Sequence, residues 1–164
     1  MHFTIRTLTP AEYPILEDML YEAIYQPDEN NLIPRDVINI PEVRVYIENF
    51  GEQEDDYCLV GDMDGKIVGA VWVRILAGDI KGYGNIDDKT PEFAISLFKE
   101  YRNKGIGTQL MQNMIEYLKS AGYTQTSLNV KKENYAVKMY CKMGFKIVCE
   151  DKEDYLMILK LSDK

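Results

Sequence analysis

The segment YCLVGDMDGKIVGAVWVRIL, residues 57–76, constrains the fold more than any other. Two β-rich runs flank Asp64-Gly65, a pair that accepts the positive φ angles of a tight hairpin turn. An antiparallel strand pair is therefore expected there, and the rest of the chain has to be arranged around a sheet.

On the N-terminal side, FTIRTL (3–8) alternates apolar and polar residues as a strand does. Thr9, Pro10 and Glu12 then form a capping-box pattern that predicts a helix over about residues 10–25. After a polar loop, Pro41 opens a second helix, PEVRVYIENF, which should run to Gly51. Beyond the hairpin, the glycine-rich loop AGDIKGYGNIDDKT leads to a strand at EFAISLF. A long amphipathic helix starts near Gly105 and stops at Ala121-Gly122, where Gly122 suits a helix C-terminus. QTSLNV is a strand, and residues 134–144 form a short helix capped by Asn134 and closed by Gly144. FKIVCE and YLMILKL complete the set as two strands of a hairpin. The order β-α-α-β-β-β-α-β-α-β-β predicts an α/β protein: one mixed, mostly antiparallel sheet of about seven strands flanked by helices.

With 164 residues, 46% of them hydrophobic, the chain fits one domain spanning 1–164 with a real core. No apolar run has the length of a membrane span, and MHFTIRTLTP lacks a signal-peptide apolar stretch, so a cytoplasmic location without membrane contact is expected. Cys58, Cys141 and Cys149 have no metal-ligand spacing and read as reduced, mostly buried thiols; no metal is expected. Residues 1–56 hold thirteen Asp and Glu against three Lys and Arg. Such a chain lacks the broad basic face that nucleic acid requires. The acidic first third either draws a cationic substrate or is a solvated face, and the sequence leaves both open.

Against that acidic background, Arg102-Asn103-Lys104-Gly105-Ile106-Gly107 stands out at the mouth of the long helix. Unpaired N–H groups and the helix dipole make such an end positive, and glycine lets a ligand approach the backbone closely. A phosphate or pyrophosphate is the natural guest. Neither GxxxxGK[ST] nor GxGxxG is present. The pattern R/Q-x-x-G-x-G/A resembles the pyrophosphate loop of the GCN5-related N-acetyltransferases (GNAT). The later stretch NVKKENYAVKMYCKMGF resembles that family's second signature, and the order of elements matches it too.

The resemblance implies an N-acetyltransferase that moves the acetyl group of acetyl-CoA directly to a primary amine of a small molecule or peptide. The alternative is a non-catalytic CoA-binding sensor. It implies CoA contacts at Leu97, Phe98, Arg102, Asn103, Lys104, Gly105, Ile106, Gly107, Thr108 and Asn134. It also implies Tyr140 as the acid for the departing thiolate and Glu92, or ordered water, as the base. A β-bulge near Leu97 and Phe98 is expected to expose an oxyanion donor, although Lys99 stands where many relatives have proline. Homodimers are common in the family. Each residue also has a plain structural role open to it: Tyr140 as a core aromatic, Glu92 as a strand-entrance acid, Asn134 as a helix cap. Asn129 faces either an acceptor cleft or the core. Trp72 should be core, and Arg74, oddly alternating onto the same face, is one candidate for lining an acceptor cleft. Tyr21, Glu22, Tyr25, Tyr46 and Glu48 are expected to supply a cation-attracting wall. His2 and Cys141 carry no catalytic expectation.

Overall fold

A computed structural model describes residues 2–162 of the chain. Its strands are β1 (Phe3–Thr7), β2 (Tyr57–Met63), β3 (Lys66–Arg74), β4 (Glu92–Leu97), β5 (Gln125–Lys131), β6 (Lys146–Glu150) and β7 (Asp154–Lys160). They form one sheet in the order β1-β2-β3-β4-β5-β7-β6. All neighbours run antiparallel except β4 and β5. The helices are α1 (Ile15–Ala23), α2 (Pro41–Arg44), α3 (Ile106–Ser120) and α4 (Ala136–Met143). This is the expected open mixed sheet with its hairpin at Asp64-Gly65, whose φ angles are +52° and +91°.

Two apolar layers hold the helices to opposite faces. Leu110, Met111, Met114 and Leu118 of α3 pack with Val71, Val73, Phe93 and Met157 of the sheet, and Tyr140 of α4 joins this layer. Leu16, Met19 and Leu20 of α1 pack with Val60, Ala70 and Trp72 on the other face. The inner strand β3 is buried on both faces, as its nearly continuous apolar sequence requires. Trp72 is core, as expected. No helix among the described residues is long and apolar enough to cross a membrane.

The first helix is split. Pro10–Glu12 make a single 3-10 turn, and the α-helix begins only at Ile15, behind Pro14. A proline ring inside a helix removes an N–H and crowds the preceding turn, so one continuous helix over 10–25 is not available. The capping contact persists: Glu12 Oε1 accepts from the Thr9 N–H at 3.0 Å and from its hydroxyl at 2.9 Å.

The second helix stops at Arg44 and continues as turns to Phe50, because its carbonyls are claimed from β3. Arg74 Nη1 donates to the carbonyls of Val45 (3.0 Å) and Glu48 (2.8 Å), and the Trp72 indole donates to that of Tyr46 (3.0 Å). Arg74 therefore does not line an acceptor cleft. Its guanidinium is buried, paired with Asp56 at 2.9 Å and 3.0 Å. Of the thiols, Cys58 is buried while Cys141 and Cys149 are exposed, which corrects the expectation that most are buried.

The Arg74–Asp56 pair locks the 45–48 turn to the sheet. Asp56→Ala should lose about 3–5 kcal/mol in chemical denaturation, since it strands a buried guanidinium.

Candidate active site

The sheet opens between β4 and β5. The two strands share one pair, Glu92 with Ser127, and then part. Along β4 the pairing with β3 runs without a register shift from Glu92 to Leu97, so the opening is a splay and not the expected bulge. The Phe98 N–H donates to the Val68 carbonyl at 3.0 Å, which removes Phe98 as a backbone donor. Antiparallel pairs alternate between bonded and non-bonded types. Ile95 and Leu97 thus turn their N–H and C=O groups away from β3, into the gap. Leu97, with Ile95, is a donor that the splay turns into the gap.

The N-terminus of α3 lies at this opening. Asn103 has φ +62° and Gly105 φ +85°, which curls the 103–105 backbone ahead of the helix. The first turn then presents the N–H groups of Ile106, Gly107 and Thr108, which have no intrahelical acceptor. The Ile106 side chain is buried in the core, so only its backbone is available. Asn103, Lys104 and Gly105 are exposed. Arg102 is not the mobile charge its sequence position suggests. Its Nε donates to the Leu97 carbonyl at 3.1 Å and its Nη2 reaches Glu22, so it clamps the end of β4 to α1.

Gly107 is informative because nothing in the protein demands it. A Cβ there would sit 3.6 Å from Leu97 Cδ1 and 3.9 Å from Met139 Sδ, ordinary contacts. Glycine inside a helix costs about 1 kcal/mol relative to alanine. Gly107 lies where the α3 N-terminus meets Leu97 of β4 and Met139 of α4, and its missing side chain leaves the backbone there approachable. These residues fit a pyrophosphate-bearing acyl carrier.

Tyr140 is buried, with its ring 5.9 Å from Phe145, which in turn packs on Phe93 at 6.0 Å. Burial pushes its phenol well above the ordinary tyrosine value, so it holds its proton throughout the neutral range. Asn134 Oδ1 accepts from the Ala136 N–H at 2.9 Å and caps α4, whose first residue is Ala136.

Glu92 points to the other face of the sheet, toward α1 and α2. It is 3% exposed. Its Oε2 accepts from the Tyr46 hydroxyl and from the Gly84 N–H at 3.0 Å, while Oε1 is buried without a partner. Gly82 and Gly84 are required by this closeness: a Cβ on Gly82 would fall 2.0 Å from Oε1, and one on Gly84 2.9 Å from the Leu128 carbonyl carbon. Burial raises the Glu92 carboxyl to about 7, against the lowering effect of Tyr46 and Gly84. The GYG spacing in the loop was the sequence signal for this contact, but nothing local says which side chain it must clear.

The expected cation-attracting wall is largely spent internally. The Tyr21 hydroxyl donates to the Ile33 carbonyl, Tyr25 to Glu133 (3.2 Å), Tyr46 to Glu92, and Glu48 accepts from Arg44 at 3.2 Å. A cleft of about 160 Å³ lies elsewhere, lined by Tyr83, Asn129, Cys149, Glu150, Asp151, Asp154 and Leu156. Asn129 faces this cleft and not the core.

An anion seat at a helix end beside a split strand pair fits a phosphate-bearing acyl donor. Comparison with known proteins agrees. The family model Acetyltransferase (GNAT) family matches residues 19–145. An N-alpha-acetyltransferase of Sulfurisphaera tokodaii is 30% identical over 128 residues, covering 74% of this chain and 76% of that enzyme. The PaiA N-acetyltransferase of Thermoplasma acidophilum, solved with coenzyme A, shares the fold at TM-score 0.67 and 21% identity, over 98% of this chain and 99% of that one. The YncA protein of Salmonella typhimurium, solved with acetyl-CoA, does so at TM-score 0.70 and 15% identity, over 100% and 96%. The chain belongs to the GNAT acetyltransferase family, and it is an acyl-CoA-dependent N-acetyltransferase with acetyl-CoA as co-substrate. The non-catalytic alternative finds no support among these relatives.

Two outcomes follow from the site's geometry. Gly107→Ala should leave the free protein as stable as before or up to about 1 kcal/mol more stable, yet weaken acetyl-CoA binding at least about tenfold by calorimetry. Glu92→Gln tests the buried acid. A raised carboxyl contributes its full stability below its unfolded value of 4.5 and loses it as pH rises through about 7. The glutamine variant should thus match the parent near pH 4 and exceed it at pH 8, by up to about 3 kcal/mol in urea unfolding.

Proposed function

We propose that the chain transfers the acetyl group of acetyl-CoA directly to a primary amine of a small molecule or peptide. The observation that carries this is the parting of β4 from β5 after the Glu92–Ser127 pair, with the Tyr140 phenol on one face of the sheet and the Glu92 carboxyl on the other. A peptide α-amine is the leading acceptor, because the relative 30% identical is named an N-alpha-acetyltransferase.

Acetyl-CoA supplies the activated acyl group as a thioester. The N–H groups of residues 103–108 hold its pyrophosphate, with Lys104 adding charge, and Asn134 borders the carrier's path. The Leu97 N–H meets the negative charge that develops on the acyl oxygen. Tyr140, kept protonated by burial, gives its proton to the departing sulfur. Glu92 takes the proton of the acceptor ammonium. Five residues along an extended strand separate it from Leu97, about 16 Å, so it works through an intervening group and not at the thioester itself.

The test is free-thiol release from acetyl-CoA against α-amino peptides, amino acids, polyamines and neutral or anionic acceptors. Release should require an amine and fall about 10²-fold in Tyr140→Phe. Glu92 works only when ionised, so kcat/KM should climb as pH rises through about 7, and Glu92→Gln should lose that limb. Turnover of neutral or anionic acceptors ahead of every amine would overturn the proposal.

A further inference from the structure

The Glu92 carboxyl is sealed. Oε1 lies beneath Gly82 without a polar partner, and Oε2 already accepts from Tyr46 and from Gly84. The covering segment is fastened on several sides. The Gly82 N–H donates to the Leu76 carbonyl at 3.1 Å, the Asn85 N–H to the Gly82 carbonyl at 3.1 Å, and the Ser127 hydroxyl to the Gly84 carbonyl at 2.7 Å. An ammonium ion cannot touch either carboxyl oxygen while this strap is in place.

One side chain leads outward from the pocket. Tyr46 is half-buried, and its ring stacks on that of exposed Tyr83, with centroids 6.4 Å apart and planes 18° from parallel. Its hydroxyl donates to Glu92 Oε2 and accepts from the Tyr83 N–H at 2.8 Å. A phenol oxygen has two lone pairs, of which the Tyr83 N–H takes one, while the Gly84 N–H that bonds Glu92 also lies close to it. The turn carrying Tyr46 is held rigidly by the Trp72 and Arg74 bonds to its carbonyls.

We infer that Tyr46 relays the proton of the incoming ammonium to Glu92 before the amine moves on to the thioester, a role that rests on Glu92 being the base. In the step, an N–H bond of the ammonium breaks and its proton joins Tyr46 Oη. The hydroxyl's own proton passes to Glu92 Oε2 at the same time. The amine is left with a free electron pair, the carboxylate becomes a neutral acid, and the tyrosine ends as it began. Burial and the charge of Glu92 hold the Tyr46 phenol above its ordinary range, so it passes a proton on without becoming a phenolate. Few other groups face this pair. Opposite Glu92 on β3 stands Arg74, whose charge is spent on Asp56; the loop contributes Tyr83 and β5 contributes Ser127.

The test compares Tyr46→Phe, Glu92→Gln and the double variant, using the fastest amine of the panel above, across pH. Acetyl-CoA affinity is measured by calorimetry and the Glu92 carboxyl by carbon-13 NMR titration. Each single variant should lose about 10²-fold in kcat/KM near pH 7, and the double variant should be no worse than either. Both losses should shrink as pH approaches the amine's own pKa, with acetyl-CoA affinity unchanged. The Glu92 titration should move up by about one pH unit in Tyr46→Phe, because a donor to its charged form is gone. A Tyr46→Phe enzyme with the parental pH profile, beside a defective Glu92→Gln, would leave Glu92 as base and remove the relay. A parental profile in Glu92→Gln would remove base and relay together. A Tyr46→Phe loss that persists at alkaline pH with weakened acetyl-CoA binding is structural, and also overturns the relay.

Discussion

The working part of this molecule depends on two neighbouring strands that hydrogen-bond once and then separate. Where β4 leaves β5, the backbone groups of Ile95 and Leu97 lose the partner strand that would have satisfied them. A sheet interior that presents unpaired N–H and C=O groups is costly unless something else meets them. Arg102 meets the Leu97 carbonyl, and the remaining groups are what an extended acyl carrier can bond. Everything else at the site is arranged around this gap: the α3 N-terminus at one end, α4 along one side, Glu92 at the closed end.

Charge is handled differently on the two faces. On the α3 face the attraction is made of backbone dipoles and one exposed lysine, which cost little to keep solvated. On the α1 face acids are numerous but mostly answered. Glu12 pairs with Arg6, Glu17 with Arg44, Asp18 with Arg35, Glu22 with Arg102 and Glu29 with Lys99. Arg6 in particular holds the Glu12 carboxyl down to about 2. These five acids are thus ties among α1, its loops and the sheet. Glu92 differs from these acids because no cation pairs with it. Burial outweighs two hydrogen bonds there, and the carboxyl rises to about 7, where it can accept a proton near neutrality.

The Gly82-Tyr83-Gly84 segment shows how a loop without regular structure can act as part of a site. Its two glycines let backbone lie against a carboxyl group, and its N–H groups bond both Glu92 and the phenol that bonds Glu92. The result is an acid held in one orientation, with each oxygen in a distinct environment.

Much of this was legible in the residues themselves. The seven strands and the two later helices follow from hydrophobic period and from turn residues such as Asp64-Gly65, Gly122 and Gly144, whose conformations are local. The anion-seeking start of α3 follows too, because helix ends and glycines act through their own backbone. What the residues could not reveal were the partners. The length of the second helix was decided by Arg74 and Trp72, some thirty residues away, taking its carbonyls. The committed state of Arg102, the loss of Phe98 as a donor, the splay in place of a bulge, and the pairing of Tyr46 with Glu92 likewise depend on residues far apart in the chain. A sequence determines what each group can donate, accept or bury; only the folded sheet decides which groups meet, because burial and hydrogen bonding are settled between neighbours in space.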